Sequence, residues 1–166
     1  HAELLWEDAL NLVTDIKYNP GDNGGNISFR VDKTTIRQGN AVICIKDEQD
    51  QTLWSWHIWV TDMNIGTTIP LKNSSMINEC MKYPLGYCEA NSITYPSRSC
   101  RVRFVAGDKK EEMIVNQNEK VVSYNDNIVF YQWGRKDPFI PSDGSANNKI
   151  WYDQNNNPNI SSPVVR

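Results

Sequence analysis

The sequence predicts an all-β fold on three observations. Apolar and polar residues alternate with a period of two, the alternating runs are short, and Gly, Asn, Asp and Pro separate them. The densest run spans residues 52–62, TLWSWHIWVTD, and holds three of the six tryptophans and the only internal histidine. A strand period puts Trp54, Trp56, Ile58 and Val60 on one face and Leu53, Ser55, His57, Trp59 and Thr61 on the other. The first face is wholly apolar and is expected to be buried. The second is mixed, so it is half-solvated or covered by a neighbouring segment, and any binding role of this strand belongs there.

The elements follow in chain order. Residues 13–18 form a strand that enters Asn19-Pro20-Gly21-Asp22-Asn23-Gly24-Gly25, where glycine and asparagine supply the positive φ of tight turns. The next strand alternates Ile27, Phe29 and Val31 against Ser28, Arg30 and Asp32. Residues 41–46 and 52–61 flank the polar Asp47-Glu48-Gln49-Asp50-Gln51 and read as a hairpin. A turn centred on Gln49 sets Val42 opposite Trp56 and Cys44 opposite Trp54, with all four on the buried face. Residues 63–99, punctuated by Pro70, Pro84 and Pro96, show no sustained period; so long a connection is functional, conceals further strands, or both. A second hairpin then alternates Cys100, Val102 and Phe104 with Arg101 and Arg103, turns at residues 107–110 and returns over residues 112–122, with the arginines on its wet face.

From about residue 124 the composition shifts. An aromatic segment, residues 128–133, precedes a run rich in Asn, Pro, Asp and Ser that has too little apolar content to fold by itself. The expected organisation is a β domain over residues 1–122 and an irregular C-terminal extension over 123–166. That extension packs through Phe130, Trp133 and Phe139, or opens a truncated second domain.

The 166 residues suffice for a real core. Seventeen basic against 20 acidic side chains, net −3, argue against nucleic acid as a partner. No apolar run approaches the roughly 20 residues of a membrane-spanning helix. The leading histidine and the lack of a signal pattern are those expected of a mature or trimmed chain.

The residue types that carry chemistry are sparse. Cys44, Cys80, Cys88 and Cys100 include no Cys-x-x-Cys and no accompanying histidine pair, which disfavours zinc. Cys80 and Cys88 are near enough in sequence for a short disulfide. Cys44 and Cys100 occupy inward strand positions, as small buried hydrophobes or as a pair. His57 has no nucleophile spaced around it and reads as a packed, hydrogen-bonded histidine, or with Trp59 as a stacking surface for a sugar. Sugar C–H groups pack on aromatic faces while Asp or Arg orients the hydroxyls, so Trp133, Arg135, Asp137, Trp151 and Tyr152 are further candidates for a glycan. Trp133 and Phe139 serve equally well as anchors. Residues 153–157 alternate oxygen ligands as a calcium loop does, but Pro158 stands where the turn glycine would be and no glutamate follows, so no metal or other cofactor is expected. Signatures of hydrolases, metalloproteases and nucleotide-binding enzymes are missing, although two carboxylates are all a glycosidase needs.

Three segments carry a resemblance: GNAVICIKDEQDQTLWSWHIWVTD, YPLGYCEANSITYPSRSCRVRF and FYQWGRKDPFIPS. Over about residues 5–142 the chain resembles fimbrillin-like and related surface proteins of Bacteroides-type gut anaerobes, most sharply in LWSWHIWVTD and FYQWGRKDPF. The resemblance implies an immunoglobulin-like or fimbrillin-type β-sandwich, followed by a further domain that opens at YQWGRKDPF and is expected to be largely missing here. It also implies a place on the outer membrane facing outward, often through a lipid anchor, and roles in adhesion or glycan handling. The expectation is therefore a non-catalytic module of a cell-surface or fimbria-associated protein whose partner is a neighbouring subunit, a surface protein or a glycan. The alternatives are a carbohydrate-binding module and a small glycan-cleaving enzyme.

Overall fold

A computed structural model describes residues 1–73, 76–140 and 150–159, so part of the C-terminal run, residues 141–149 and 160–166, lies outside the described residues. The chain is all-β. Its first strands are β1 (Ala2–Glu7), β2 (Thr14–Asn19), β3 (Asn26–Arg30), β4 (Gly39–Lys46), β5 (Thr52–Val60), β6 (Thr68–Asn73) and β7 (Met76–Met81). Then follow β8 (Asn91–Tyr95), β9 (Arg98–Ala106), β10 (Lys109–Gln117), β11 (Lys120–Tyr124), β12 (Trp151–Tyr152) and β13 (Pro158–Asn159). One sheet has five strands in the order β13-β12-β1-β4-β5, and four pairs, β2–β3, β6–β7, β8–β11 and β9–β10, stand as two-stranded sheets. Every ladder is antiparallel. The irregular stretch of residues 63–99 thus conceals β6, β7, β8 and the start of β9.

The chain packs as two compact units, His1–Cys88 with Asn127–Arg166, and Glu89–Asp126. In the first unit an apolar cluster lies on each face of the sheet. Leu4, Ala41 and Ile43 gather Ala9, Leu12 and Val13 on one face, with Ile16 and Ile27 of the β2–β3 hairpin and Ile58 and Val60 packed against them. Trp6 and Val42 meet Val129 and Ile140 in a second cluster, joined by Leu5 and Trp151. A register shift in β1 between Leu4 and Trp6 lets one strand feed both clusters.

The β4–β5 hairpin forms where the sequence predicts it, with a different register. Its closing pair, Lys46 with Thr52, is the one that a turn centred on Gln49 demands. The ladder then shifts, so that Ile45 pairs with Trp54 and Leu53 is the extra residue of a β-bulge. Beyond the bulge Ile43 faces Trp56, Cys44 faces Ser55 and Val42 faces His57. A one-residue slip exchanges the faces of a strand. Trp54 and Trp56, expected in the core, are 53% and 40% exposed, whereas Ser55, on the mixed face, is 4% exposed. Only Ile58 and Val60 of the apolar face reach the core.

Further corrections concern the extension and the cysteines. Val129, Pro138 and Ile140 are its buried anchors; Phe130 is 44% exposed and Trp133 is fully exposed. All four cysteines are free thiols, so no bridge joins Cys80 to Cys88, and Cys100 is exposed rather than inward. Cys44 is buried as expected, and burial pushes its thiol up from its ordinary value.

Two turns of one design close β4–β5 and β12–β13. Asp47 Oδ1 accepts from the backbone N–H of Gln49 and Gln51, and Asp153 Oδ1 from those of Asn155 and Asn157. Asp50 and Asn156, at equivalent positions, both adopt positive φ, 64° and 62°. The residues read as a calcium-like loop are therefore a carboxylate-capped turn, and the Asn157 hydrogen bonds hold the Asp153 carboxyl below its usual range. Replacing Asp47 with Ala should lower stability by about 0.5–1.5 kcal/mol in a denaturant titration, with an unchanged slope. An effect under about 0.2 kcal/mol would show that the cap is ornamental.

Candidate functional site

The mixed face of β5 is covered, and what covers it is polar. Asn40 of β4 is fully buried and sits at the centre. Its backbone N–H donates to Asp8 Oδ1 at 2.6 Å and its amide Nδ2 to Asp8 Oδ2 at 2.9 Å, while Asp8 N–H returns a bond to Asn40 O at 2.9 Å. Nδ2 also donates to Gly86 O at 2.9 Å and approaches Cys88 Sγ at 3.4 Å. These acceptors fix the amide's orientation, so Asn40 Oδ1 faces His57 Nε2 at 2.9 Å and must accept from it. His57 is thereby the Nε2–H tautomer. Its Nδ1 accepts from Tyr131 O–H at 2.5 Å.

Burial decides the charge states. Desolvation lowers His57 from 6.5 to about 4, against the pull of the Asp8 and Asp137 carboxylates. The same cause, reinforced by Asp137, pushes Tyr131 up to about 12. A neutral phenol thus donates to a neutral imidazole, and the chain of bonds needs no proton transfer to be satisfied.

Two residues along β5, Ser55 Oγ donates to Asp137 Oδ2 at 2.6 Å. Lys136 Nζ donates to Ser55 O at 2.8 Å, to Ser55 Oγ at 2.5 Å and to Asp137 Oδ1 at 2.6 Å, and stands 4.9 Å from the centre of the Trp54 ring. A serine beside a lysine has the composition of a nucleophile and its base. The geometry is different: three acceptors take the three protons of an ammonium, which leaves no lone pair to receive the serine proton, and the serine proton is aimed at Asp137. As it stands, the trio clamps residues 136–137 to β5.

Backbone conformation makes the covering segments fit. Gly86 has φ +81°, and a Cβ there would collide with the Val129 side chain. Trp59 Nε1–H donates to Tyr87 O at 3.0 Å, and Cys88 pairs with Asn127 through two backbone bonds. After Val129 the backbone pairs Phe130 with Phe139, enclosing a turn whose Arg135 N–H bonds to Gln132 O at 2.9 Å. Gly134, φ +79°, and the preceding Trp133 form its tip, and the tryptophan side chain is 101% exposed.

Of the residues singled out from sequence, His57 and Asp137 belong to this network and Trp59 borders it. Arg135 lies 6.0 Å from the Phe139 ring, in the turn with Trp133. Trp151 and Tyr152 are half-buried in β12, which β1 and β4 separate from β5, and Trp151 packs against the second cluster. The seven do not form one platform. Sequence reading passed over Asp8 and Asn40, and gave no role of their own to Ser55, on the mixed face of β5, or to Tyr131 and Lys136. Lys136 and Tyr131 stand beside residues that were singled out; a buried Asn at a strand start gives no signal.

Among the described residues one group has metal-like proximity, His1, Glu3 and Asp50. Lys46 Nζ lies 2.5 Å from Glu3 and 3.4 Å from Asp50, so an ammonium already takes the place of a cation there. No protein-family model matches the chain, and no significant match is found among curated proteins or solved structures.

Two outcomes follow. Because folded His57 binds its proton less tightly than the unfolded chain, it stabilises the fold above about pH 6.5, and that contribution is lost as pH falls towards 4. Glu7, buried with its pKa raised mainly by desolvation, has the opposite slope, being most favourable below 4.5. Unfolding free energies of the native chain and H57Q, measured between pH 7 and pH 4, should converge by about 1–3 kcal/mol. Parallel curves would refute the neutral-histidine assignment. Gly86→Ala should cost at least about 1–3 kcal/mol through strain and overpacking, read as a lowered denaturation midpoint.

Proposed function

We propose that the chain is a non-catalytic module of a bacterial cell-surface or fimbria-associated protein that contributes to adhesion or assembly, built on an immunoglobulin-like or fimbrillin-type sandwich. One observation carries the assembly reading. β5, nine residues long, closes the five-stranded sheet at one side and has β4 as its sole strand partner among the described residues. Such an edge is a template for a strand from a neighbouring subunit, with main-chain bonds for affinity and side-chain pockets for specificity. The exposed Trp54 and Trp56 supply apolar surface beside it. Lys136 caps the Ser55 carbonyl, so an added strand displaces that contact or pairs beyond it. The serine and lysine of the covered face are engaged with each other, with Asp137 and with backbone, and the histidine with Asn40 and Tyr131, which favours a structural role over a catalytic one. The sequence resemblance to fimbrillin-like surface proteins points the same way. Hydrogen exchange tests this: in assembled material, amides of β5 should exchange at least tenfold more slowly than in the isolated chain. Equal exchange along β5 in both would remove the reading.

A second reading, carbohydrate binding, is favoured by Trp133. Tryptophan is mostly buried in folded chains, and a fully exposed one at a turn tip, flanked by Gln132 and Arg135, offers a flat face to a sugar ring. Titration with host and plant polysaccharides, followed by tryptophan fluorescence, should give saturable binding that Trp133→Ala weakens at least tenfold without changing the melting temperature. Failure to bind across the panel, or binding indifferent to W133A, would leave the exposed ring without this role.

A further inference from the structure

Hydrogen bonding in β4 fixes which main-chain groups of β5 point away from the sheet. Lys46 N–H donates to His1 O at 2.8 Å and Asp8 N–H to Asn40 O at 2.9 Å, so the main-chain groups at both ends of β4 face β1. In an antiparallel ladder the orientation alternates from residue to residue, which turns Asn40, Val42 and Cys44 towards β1 and leaves their partners on β5 without ladder bonds to β4. Those partners are Trp59, His57 and Ser55. Their N–H and C=O groups form the row that an added strand uses, at a spacing of about 4.8 Å and with its donors about 2.9 Å from the edge carbonyls. Lys136 Nζ lies 2.8 Å from Ser55 O, where the first such donor belongs.

The ammonium straddles the strand edge. On the covered face it donates to Ser55 Oγ at 2.5 Å and to Asp137 Oδ1 at 2.6 Å, and from the other face the Trp54 ring stands 4.9 Å away. No strand pairs at Ser55 until that group has moved. The segment that carries it is anchored beside the same row: Phe130 and Phe139 exchange two main-chain bonds, Tyr131 O–H reaches His57, and Asp137 accepts from Ser55 Oγ. Lysine on a sheet edge opposes pairing, because an incoming strand must bury or displace its charge. We propose that residues 130–139 are an edge guard for β5, in which Lys136 fills the first donor position and swings away before a strand of a neighbouring subunit adds. The inference rests on strand addition at β5 and supplies its control: the isolated chain is held unpaired, and assembly begins with the release of one side chain. Release is local. Asp137 keeps its bond to Ser55 Oγ, and the Lys136 side chain, already 40% exposed, turns into water.

Assembly of the full chain, followed by light scattering at matched concentrations, tests the guard, with hydrogen exchange locating the contact. Lys136→Met removes the charged donor, and the double variant K136Q/D137N removes both charges, so that no carboxylate is left without its ammonium. Each should assemble about tenfold faster than the native chain, with the amides of Ser55, His57 and Trp59 protected in the assembled material. Lys136→Arg, which keeps a charged donor at the edge, should stay near the native rate. Circular dichroism before assembly checks that each variant keeps the native β spectrum. Native rates in both K136M and K136Q/D137N, with β5 protected in the assembled native chain, would overturn the guard and leave strand addition standing. Assembled material in which those amides exchange as fast as in the isolated chain, or no assembly by any form, would overturn both. Loss of the β spectrum in both variants would make Lys136 a structural clamp alone and likewise overturn the guard.

Discussion

Asn40 holds four segments at one point: the turn after β1 through Asp8, β5 through His57, the loop before residue 88 through Gly86, and residue 131 through His57 in turn. Its side chain lies in the interior, where each unmade bond costs about 1–3 kcal/mol, so the segments must all be in place together or the penalty falls due. An apolar residue at position 40 would tolerate many arrangements of the loops. The amide tolerates one, because its donors and its acceptor are spent on groups from different parts of the chain. Polar burial thus specifies the mutual placement of segments that the apolar clusters only hold near each other.

The bulge at Leu53 determines what that network can contain. With a regular ladder Trp54 and Trp56 would lie beside Cys44 and Val42, and residues 129–140 would meet indole rings. With the extra residue they meet Ser55 and His57, and Asp137 and Tyr131 provide the matching partners. The displaced indoles lie on the other face of the strand, where the core cluster extends only as far as Ile58 and Val60. Exposure of Trp54 and Trp56 is therefore a consequence of register, and Lys136 covers part of one ring.

Legibility from sequence followed the physics of each signal. The β class, the β2–β3, β4–β5 and β9–β10 hairpins and the polar turns were readable, because alternation and turn chemistry are local. The closing pair of β4–β5 was readable too, since turn geometry fixes it. The bulge one step further on was not, for Leu53 looks like any strand residue, and the partners assigned to Trp54 and Trp56 across the ladder passed to Ser55 and His57, while Ile58 and Val60 kept their core face. β6 and β7 escaped notice because Pro70 within β6 reads as a strand breaker, although it pairs with Glu79, and because the described side chains of β7 are largely exposed, which leaves no alternation to detect. In the site, His57 and Asp137 were visible as residue types. Asn40 and Asp8 were not, since what matters about them is a burial that sequence does not display.

The two units use the same β alternation to different ends. In the five-stranded sheet both faces find cover within the chain, one apolar, the other part apolar and part hydrogen-bonded. In β9–β10 each face mixes charged and exposed apolar side chains, Arg101, Arg103, Glu112 and Ile114 on one and Arg98, Glu111, Phe104 and Met113 on the other. Of the two strands only Val102 is even half-buried, so this ribbon is held by its main-chain ladder and by cross-strand pairs such as Arg103 with Glu112 rather than by a buried face. The same alternation that packs a core in the first unit therefore only sorts side chains in the second.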